Sequence, residues 1–259
     1  LLYMCRQVWI LSSVLESLSI DRYVQESSSR GIAAGGAPIH RRLLPRAALR
    51  FGFVGGGVAS TVVELLVRLY ALEEPQLRAV LVACLGFFLR GQRSYIKDRR
   101  IGEIFGWSLT SSDLGLCLRT LETLTSLLAH FGAEADRETR VGAADFRDMY
   151  DGSAIGGSGQ LVLAGGAASA VESAQPLAAH SDAVMAHLTL VSSDGPAGAS
   201  LGSCSGDLLR VRVEALAVMR QLSRQGLVNP MALLPKVFAL SFTGEAPLAE
   251  PARVVLLEL

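Results

Sequence analysis

Apolar residues recur every three or four positions in several windows of this sequence, which is the spacing of an amphipathic helix. The clearest window is 208–225, where charged side chains such as Arg210 and Glu214 lie largely off the apolar stripe and can pair with each other. No convincing alternation of apolar and polar residues predicts a strand. The stripe consists of Leu208, Val211, Ala215, Val218, Met219 and Leu222.

Residues with special backbone preferences mark where this helix ends and the next begins. Gly226 suits the left-handed position after a helix, and Asn229-Pro230 supplies an N-cap followed by a first helical residue. Pro235 cannot donate to a helical hydrogen-bond ladder, so we expect it to kink or restart the second helix. Another amphipathic stretch begins near Pro247. The sequence therefore predicts a helical pair over 208–241 and a further helix after it.

The same signals predict earlier helices. Pro75 suits the first position of a helix, Asp113 is a candidate N-cap, and Gly132 is a candidate stop. The predicted helices cover residues 2–18, 58–72, 75 to about 89, 96–109 and 113–131.

Two stretches rich in small or polar residues interrupt these helices. Residues 22–57 are rich in Ser, Gly, Pro and Arg and predict a loop insertion. Residues 132–206 are first acidic and then, from 164, dominated by Ala, Gly and Ser; they predict a largely disordered insertion with one candidate helix at 181–190. The predicted organisation is helical repeats over 1–131, this insertion, and C-terminal helical repeats over 207–259.

We predict an all-α fold, arranged as a helical-repeat solenoid of the HEAT or armadillo kind with low-complexity insertions. Short helices, short connections and a unit of roughly 35–45 residues are typical of such stacked hairpins. A globular helical bundle is the alternative architecture.

Composition narrows the class of protein. Half of the residues are hydrophobic and 19% are charged, which excludes a globally disordered chain. Because the chain begins at Leu1 inside an apolar stretch, we expect a fragment of a longer protein. The longest apolar run is well short of the ~20 residues that span a bilayer, so we expect a soluble intracellular protein.

The cysteines do not have the spacing of metal ligands, so the sequence predicts free, buried thiols. They are Cys5, Cys84, Cys117 and Cys204.

Net charge is zero, but its distribution is uneven. Residues 41–100 carry eleven basic and four acidic side chains, whereas residues 101–175 carry four basic and ten acidic ones. The densest cluster, which we call the basic segment, spans residues 90–100. Such a cluster between helices predicts salt-sensitive, sequence-independent DNA binding, with a solvated loop and an acidic protein partner as alternatives. Its cations are Arg90, Arg93, Lys97, Arg99 and Arg100, with Tyr95 interleaved and Asp98 as the one acid.

Two short motifs resemble catalytic ones. Gly55–Gly57 before a helix resembles a dinucleotide-binding loop, but the acidic pair Glu73-Glu74 ends a helix instead of a second strand. Gly202–Gly206 has the spacing of a nucleophile elbow with Cys204, but a linker of small residues precedes it. We find neither a phosphate-binding loop nor metal-ligand spacing, so we expect no catalytic residue, cofactor or metal.

The stretch Val211–Leu240 resembles the C-terminal region of the Nipped-B cohesin loaders, also called sister chromatid cohesion protein 2. Its most specific part is the turn Gln225–Val228, followed by Pro230 and Pro235. Residues 22–57 and 164–206 depart from the family. Further matches lie in the same order along the chain, bringing the resemblance to about half of it; they are Tyr3–Asp21, Glu73–Tyr95 with Leu85-Gly86-Phe87, Leu118–Leu128 and Asp148–Ser153.

This resemblance implies a hook-shaped HEAT solenoid in the nucleus that binds cohesin subunits and DNA. It implies loading of cohesin onto chromatin for sister chromatid cohesion and stimulation of the cohesin ATPase. The ATP site belongs to cohesin, so this chain needs no catalytic residue of its own. A loader-complex partner is expected to bind the family's N-terminal region, which is missing here. The alternative function is that of another HEAT or armadillo adaptor, in transport or trafficking.

Overall fold

The computed structural model divides into two compact units, Leu1–Tyr95 and Ile96–Leu259. It describes Arg6, Ile10 and residues 58–72, 74–150, 174–189, 204–243 and 245–259. Across these residues no strand occurs, which confirms the all-α prediction. The helices are α1 (Val58–Tyr70), α2 (Pro75–Gly91), α3 (Arg99–Leu109), α4 (Leu114–Tyr150), α5 (Ser181–Leu188), α6 (Cys204–Arg224), α7 (Pro230–Ser241) and α8 (Ala246–Glu258), with a 3-10 helix (Arg93–Lys97) between α2 and α3.

In the first unit, α1 and α2 form a helical hairpin around fully buried side chains such as Leu66 and Leu81. Pro75 is the first residue of α2, as predicted. Arg78 secures the connection, because its Nε donates to the Tyr70 carbonyl at 3.2 Å and its guanidinium lies 5.0 Å from the centre of the Tyr70 ring. The predicted helix 2–18, apart from Arg6 and Ile10, and the predicted loop 22–57 lie outside the described residues.

In the second unit the helices pack in the order α3, α4, α6, α8 and α7. Helix α8 contacts both α6 and α7, so the spatial order differs from the chain order at this end. Helix α5 packs on α6 and also contacts α3. The stripe predicted for α6 is buried from Val211 to Leu222, and Leu208 is half-buried. These contacts establish helix-on-helix packing, and the repeat solenoid stays a prediction.

Helix α4 is longer than the sequence predicts. Asp113 caps its start as expected, since the carboxylate oxygen Oδ1 accepts from the backbone N–H groups of Gly115 at 2.9 Å and Leu116 at 3.3 Å. The predicted stop at Gly132 is wrong, because the helix continues to Tyr150. Glycine costs only about 1 kcal/mol relative to alanine inside a helix, which tertiary contacts outweigh.

Gly132 instead provides room for a neighbour. The side chain of Gln225, just after α6, donates from Nε2 to the Leu128 carbonyl at 2.7 Å. A Cβ atom at position 132 would lie 3.0 Å from that nitrogen. A helical carbonyl is partly shielded by the side chain four residues later, so glycine at 132 leaves the oxygen of Leu128 open to an outside donor.

The turn between α6 and α7 has the predicted geometry. Gly226 has φ of 68°, and its N–H donates to Ser223 while that of Leu227 donates to Leu222, which together form a Schellman motif. Asn229 then caps α7 by accepting from the N–H of Met231 at 2.9 Å, and Pro230 is the first helical residue. Every step of this turn is therefore encoded locally.

Prolines lie inside both C-terminal helices. The sequence predicted a kink or a restart at Pro235, but α7 runs from Pro230 to Ser241 without a restart. Helix α8 begins at Ala246 with a proline in its first turn and likewise continues through Pro251. Each interior proline leaves one helical carbonyl without its usual donor, and both helices persist because they are packed on their neighbours.

Part of the predicted insertion is helical. Residues 132–150 belong to α4, and residues 174–178 form a helical turn that leads into α5. Leu177, Val184 and Leu188 are buried in this region. The candidate helix predicted at 181–190 is thus confirmed as Ser181–Leu188, while residues 151–173 and 190–203 lie outside the described part of the chain.

The substitution Gly226→Ala tests the turn. It should lower the free energy of unfolding by about 1 kcal/mol, because an L side chain at positive φ is strained even though no atom crowds the site. Gly102→Ala is the matched control: Gly102 lies inside α3 with equally open surroundings, so alanine should stabilise by about 0.5–1 kcal/mol. Urea denaturation measures both changes, and equal signs would contradict the assignment of strain to position 226.

Candidate functional site

The basic segment joins the end of α2 to the start of α3. Arg90 belongs to the last turn of α2, Arg93 and Lys97 to the 3-10 helix, and Arg99 and Arg100 to the first turn of α3. The boundary between the two compact units falls inside it, after Tyr95. The segment is therefore helical almost throughout, and its two halves are described separately.

In the first half, Arg90 and Tyr95 contact aromatic side chains of α2. The guanidinium carbon of Arg90 lies 5.2 Å from the centre of the Phe87 ring, within range of a cation–π contact. The Tyr95 ring packs edge-to-face on the buried Phe88 ring, with centroids 5.5 Å apart. Tyr95 is thus part of the packing of this unit, and its ring is not a bare platform for a base.

In the second half, carboxylates accompany the cations. Asp98 caps α3 by accepting from the N–H of Arg100 at 3.0 Å, and the same carboxylate accepts from the Arg100 guanidinium at 2.7 Å. The Nε of Arg99 donates to Glu103 at 2.7 Å, one helical turn later. An anion that binds either arginine must therefore compete with a carboxylate of the same helix.

The electrostatics of the α3 N-terminus favour negative charge. The hydrogen bond from the Arg100 side chain holds the pKa of Asp98 below its ordinary value. Two arginines in a first helical turn add to the positive end of the helix dipole, which is unfavourable for the helix alone and favourable for an incoming anion. The arrangement can bind phosphate or carboxylate groups, and its side chains are suited to charge pairing rather than to proton transfer.

A thiol and an imidazole that are distant in the sequence meet in the second unit. Cys117 on α4 lies with its Sγ 3.3 Å from Nε2 of His187 on α5. The same Nε2 lies 2.8 Å from the Leu109 carbonyl at the end of α3. Because a carbonyl only accepts, Nε2 must carry the proton and donate it to Leu109. The imidazole thus ties the end of α3 to α5 beside α4.

This pair lacks the electrostatics of a catalytic dyad. The nitrogen nearer to the sulfur is occupied as a donor, and Nδ1 lies 3.9 Å away. Burial, aided by the negative charge of Asp113, raises the pKa of the Cys117 thiol to about 11. An activated cysteine has a lowered pKa, so Cys117 is a buried neutral thiol. Cys84 is likewise buried, which confirms the predicted burial of these two cysteines.

The two motifs that resemble catalytic ones lie wholly or partly outside the described residues. Gly55–Gly57 falls outside the described residues, and α1 begins at the next residue, Val58. Gly202 and Ser203 also lie outside, whereas Cys204 begins α6, so the second half of the elbow-like motif is the first turn of a helix. Among the residues that the structure describes, no group of three His, Cys, Asp or Glu side chains is arranged to hold a metal ion.

The structure also exposes an apolar surface that sequence reasoning missed. We define the α7 stripe as Met231, Leu234, Phe238 and Phe242, all of which are exposed. The signal was present in the sequence, because Lys236 is the only charged residue between Pro230 and Phe242. A second exposed aromatic side chain, Trp107, lies on α3.

Comparison with known protein families, curated proteins and solved structures finds no match to this chain. Within the described part of the chain, no helix is both long and apolar enough to cross a membrane.

The reactivity of Cys117 tests its assignment as a structural thiol. Iodoacetamide at pH 8 should leave it unmodified in the native protein, because only about one thiol in a thousand is ionised when the pKa lies three units above the pH. Peptide mass spectrometry measures the modified fraction, and unfolding in denaturant should make it complete. His187→Gln should leave the native protein equally unreactive. Rapid native modification that depends on His187 would contradict the assignment.

Proposed function

We propose that this protein is a non-enzymatic chromatin factor resembling the Nipped-B cohesin loaders. In this proposal it binds cohesin and DNA, promotes the loading of cohesin onto chromatin in the nucleus, and stimulates the cohesin ATPase. Its helical pairs stack as HEAT-like repeats. The alternative is another HEAT or armadillo adaptor, which shares the scaffold and differs in its partner.

The observation that carries the proposal is the geometry of the turn at 225–230. This turn is the most specific part of the resemblance, and its residues have distinct structural tasks. Gln225 binds the backbone of α4, Gly226 takes the left-handed conformation, and Asn229 and Pro230 start α7. A motif whose members end α6, start α7 and hold the end of α6 to α4 is a stronger link to a family than helical periodicity alone.

The basic segment supports contact with DNA. Within the second unit, Arg99 and Arg100 stand in the first turn of α3, at the positive end of its dipole. Contacts of this type neutralise phosphates without reading base sequence, which suits a factor that acts along chromatin.

Differential binding provides a mechanism that needs no catalytic residue in this chain. A scaffold that binds the DNA-clamped state of cohesin more tightly than the open state shifts cohesin toward the clamped state. The basic segment contributes to this preference if it contacts DNA only when cohesin encloses that DNA. ATP hydrolysis then takes place on cohesin itself.

Affinity capture from nuclear extract tests the identity of the partner. The tagged protein should retain cohesin subunits, as a known Nipped-B loader does under the same conditions, and quantitative mass spectrometry measures the retained amount. Failure to retain cohesin where the known loader succeeds would argue against the proposal. Enrichment of transport or trafficking proteins instead would favour the adaptor.

Charge reversal tests the basic segment separately. The triple variant Arg93→Glu, Lys97→Glu and Arg100→Glu should weaken DNA binding, because it removes cations that neutralise phosphates. Each lost phosphate contact should also reduce the slope of log affinity against log salt concentration by about 0.9. Glu103→Gln should act in the opposite direction, since it frees Arg99 from its carboxylate. Fluorescence anisotropy on two duplexes of unrelated sequence, across a salt series, measures affinity and slope.

The matched control replaces three exposed arginines outside the segment by glutamate, so its net charge changes by the same amount as that of the first triple variant. These arginines are Arg119, Arg224 and Arg253. This control should retain the slope of the unmodified protein. If both triple variants lose affinity equally, only net charge matters and the segment is not a DNA-binding site. Unchanged affinity and slope in the first variant would lead to the same conclusion.

A further inference from the structure

Helix α7 is apolar on two opposite sides. One side, with Leu233, Val237 and Leu240, is buried within the second unit. The other side carries the α7 stripe, whose members are 39% exposed at Leu234, 55% at Phe238, 69% at Met231 and 74% at Phe242. A helix that is apolar all round belongs in an interior, and α7 packs mainly on a single neighbour, α8.

The stripe is an organised surface. Its residues succeed one another at intervals of three or four positions: Met231, Leu234 and Phe238 share one face of α7, and Phe242 caps its C-terminal end. Phe238 and Phe242 pack edge-to-face with ring centroids 4.9 Å apart, which presents one continuous aromatic surface. Isolated exposed apolar residues are ordinary, whereas a contiguous exposed apolar patch marks an interaction site.

The distribution of charge favours a second copy of this chain as the occupant. No charged residue belongs to the stripe, and Lys236 lies five positions after Met231, about 140° round the helix. Two identical surfaces therefore meet without like charges between them. The chain as a whole has a formal net charge of zero, so two copies do not repel each other at long range.

The area of the stripe also fits a second copy. Fully exposed side chains of this size present about 200 Å² each, so the observed exposures give about 500 Å² per copy. Two copies would bury about 1,000 Å², which is near the lower limit for a specific interface. We therefore expect reversible association rather than an obligate dimer.

We propose that the α7 stripe is a self-association surface, through which two copies pack α7 against α7 in antiparallel orientation about a twofold axis. In a twofold contact the same patch faces itself, so Met231 of one copy meets Phe242 of the other, and Leu234 and Phe238 lie near the axis. This inference does not depend on the identity of the partner proposed above.

Sedimentation velocity tests the proposal on the full chain at concentrations from roughly 1 to 200 µM, the range expected for a small interface. The mass should rise with concentration from 27.5 kDa toward twice that value. Added salt should not weaken the association, because the contact is apolar. A monomer at every concentration, or an assembly that keeps growing beyond two copies, would overturn the proposal.

Paired charge variants test the orientation. Met231→Lys with Phe242→Lys places like charges opposite each other in the antiparallel dimer and should abolish it. Met231→Lys with Phe242→Glu places opposite charges there and should retain it. Both positions are exposed, so circular dichroism and the unfolding midpoint should stay close to those of the unmodified protein. Equal behaviour of the two variants would refute the antiparallel contact.

Trp107→Lys is the matched control, because it removes a comparably exposed aromatic side chain from α3, at a distance from the stripe in the sequence. The dimer should persist in this variant. Loss of the dimer with Trp107→Lys, combined with its survival in both α7 variants, would assign the interface to α3 and overturn the proposal.

Discussion

The packing of α6 against its neighbours is the interaction on which the second unit depends. This helix contacts α4, α5 and α8, and its apolar stripe is buried from Val211 to Leu222. Its C-terminal end is held to α4 by the hydrogen bond from Gln225 to the Leu128 carbonyl, in the space that Gly132 leaves. Since α7 and α8 come directly after this anchored end, their placement depends on it.

The same interface accommodates charge. Glu214 of α6 lies near Glu122 of α4. Burial is the main cause that raises the pKa of Glu214 above its ordinary value, and repulsion from Glu122 adds to it. Arg210 offsets this in part, since its guanidinium lies 3.8 Å from the Glu122 carboxylate and also attracts Glu214. The sequence suggested a pair within α6, and the structure directs Arg210 to the neighbouring helix as well. Ionisation of Glu214 therefore opposes the packing that the apolar stripe drives.

The two candidate surfaces differ in physical character. The basic segment is charged but partly neutralised by Asp98 and Glu103, so binding there is an exchange of one carboxylate for another anion. The α7 stripe consists of exposed apolar side chains, and covering it releases water from apolar surface. The first surface should respond strongly to salt and the second hardly at all, which allows the proposed DNA contact and the proposed self-association to be separated in one molecule.

The sequence by itself determined the all-α class, most helix ends and the buried face of α6. These features are local: Gly226 takes a positive φ, Asn229 and Asp113 each cap the next helix, and apolar spacing selects a face. Only the tertiary structure decided that α4 continues through Gly132, because Gln225, 93 positions later, uses the space. It also brought together Cys117 and His187, 70 positions apart, and assigned them a structural role through burial. Nor did local pattern reveal which apolar side of α7 is covered, since that depends on where α8 packs. Local periodicity does not encode contacts between residues far apart in the chain, and for this reason the helices were predictable while these contacts were not.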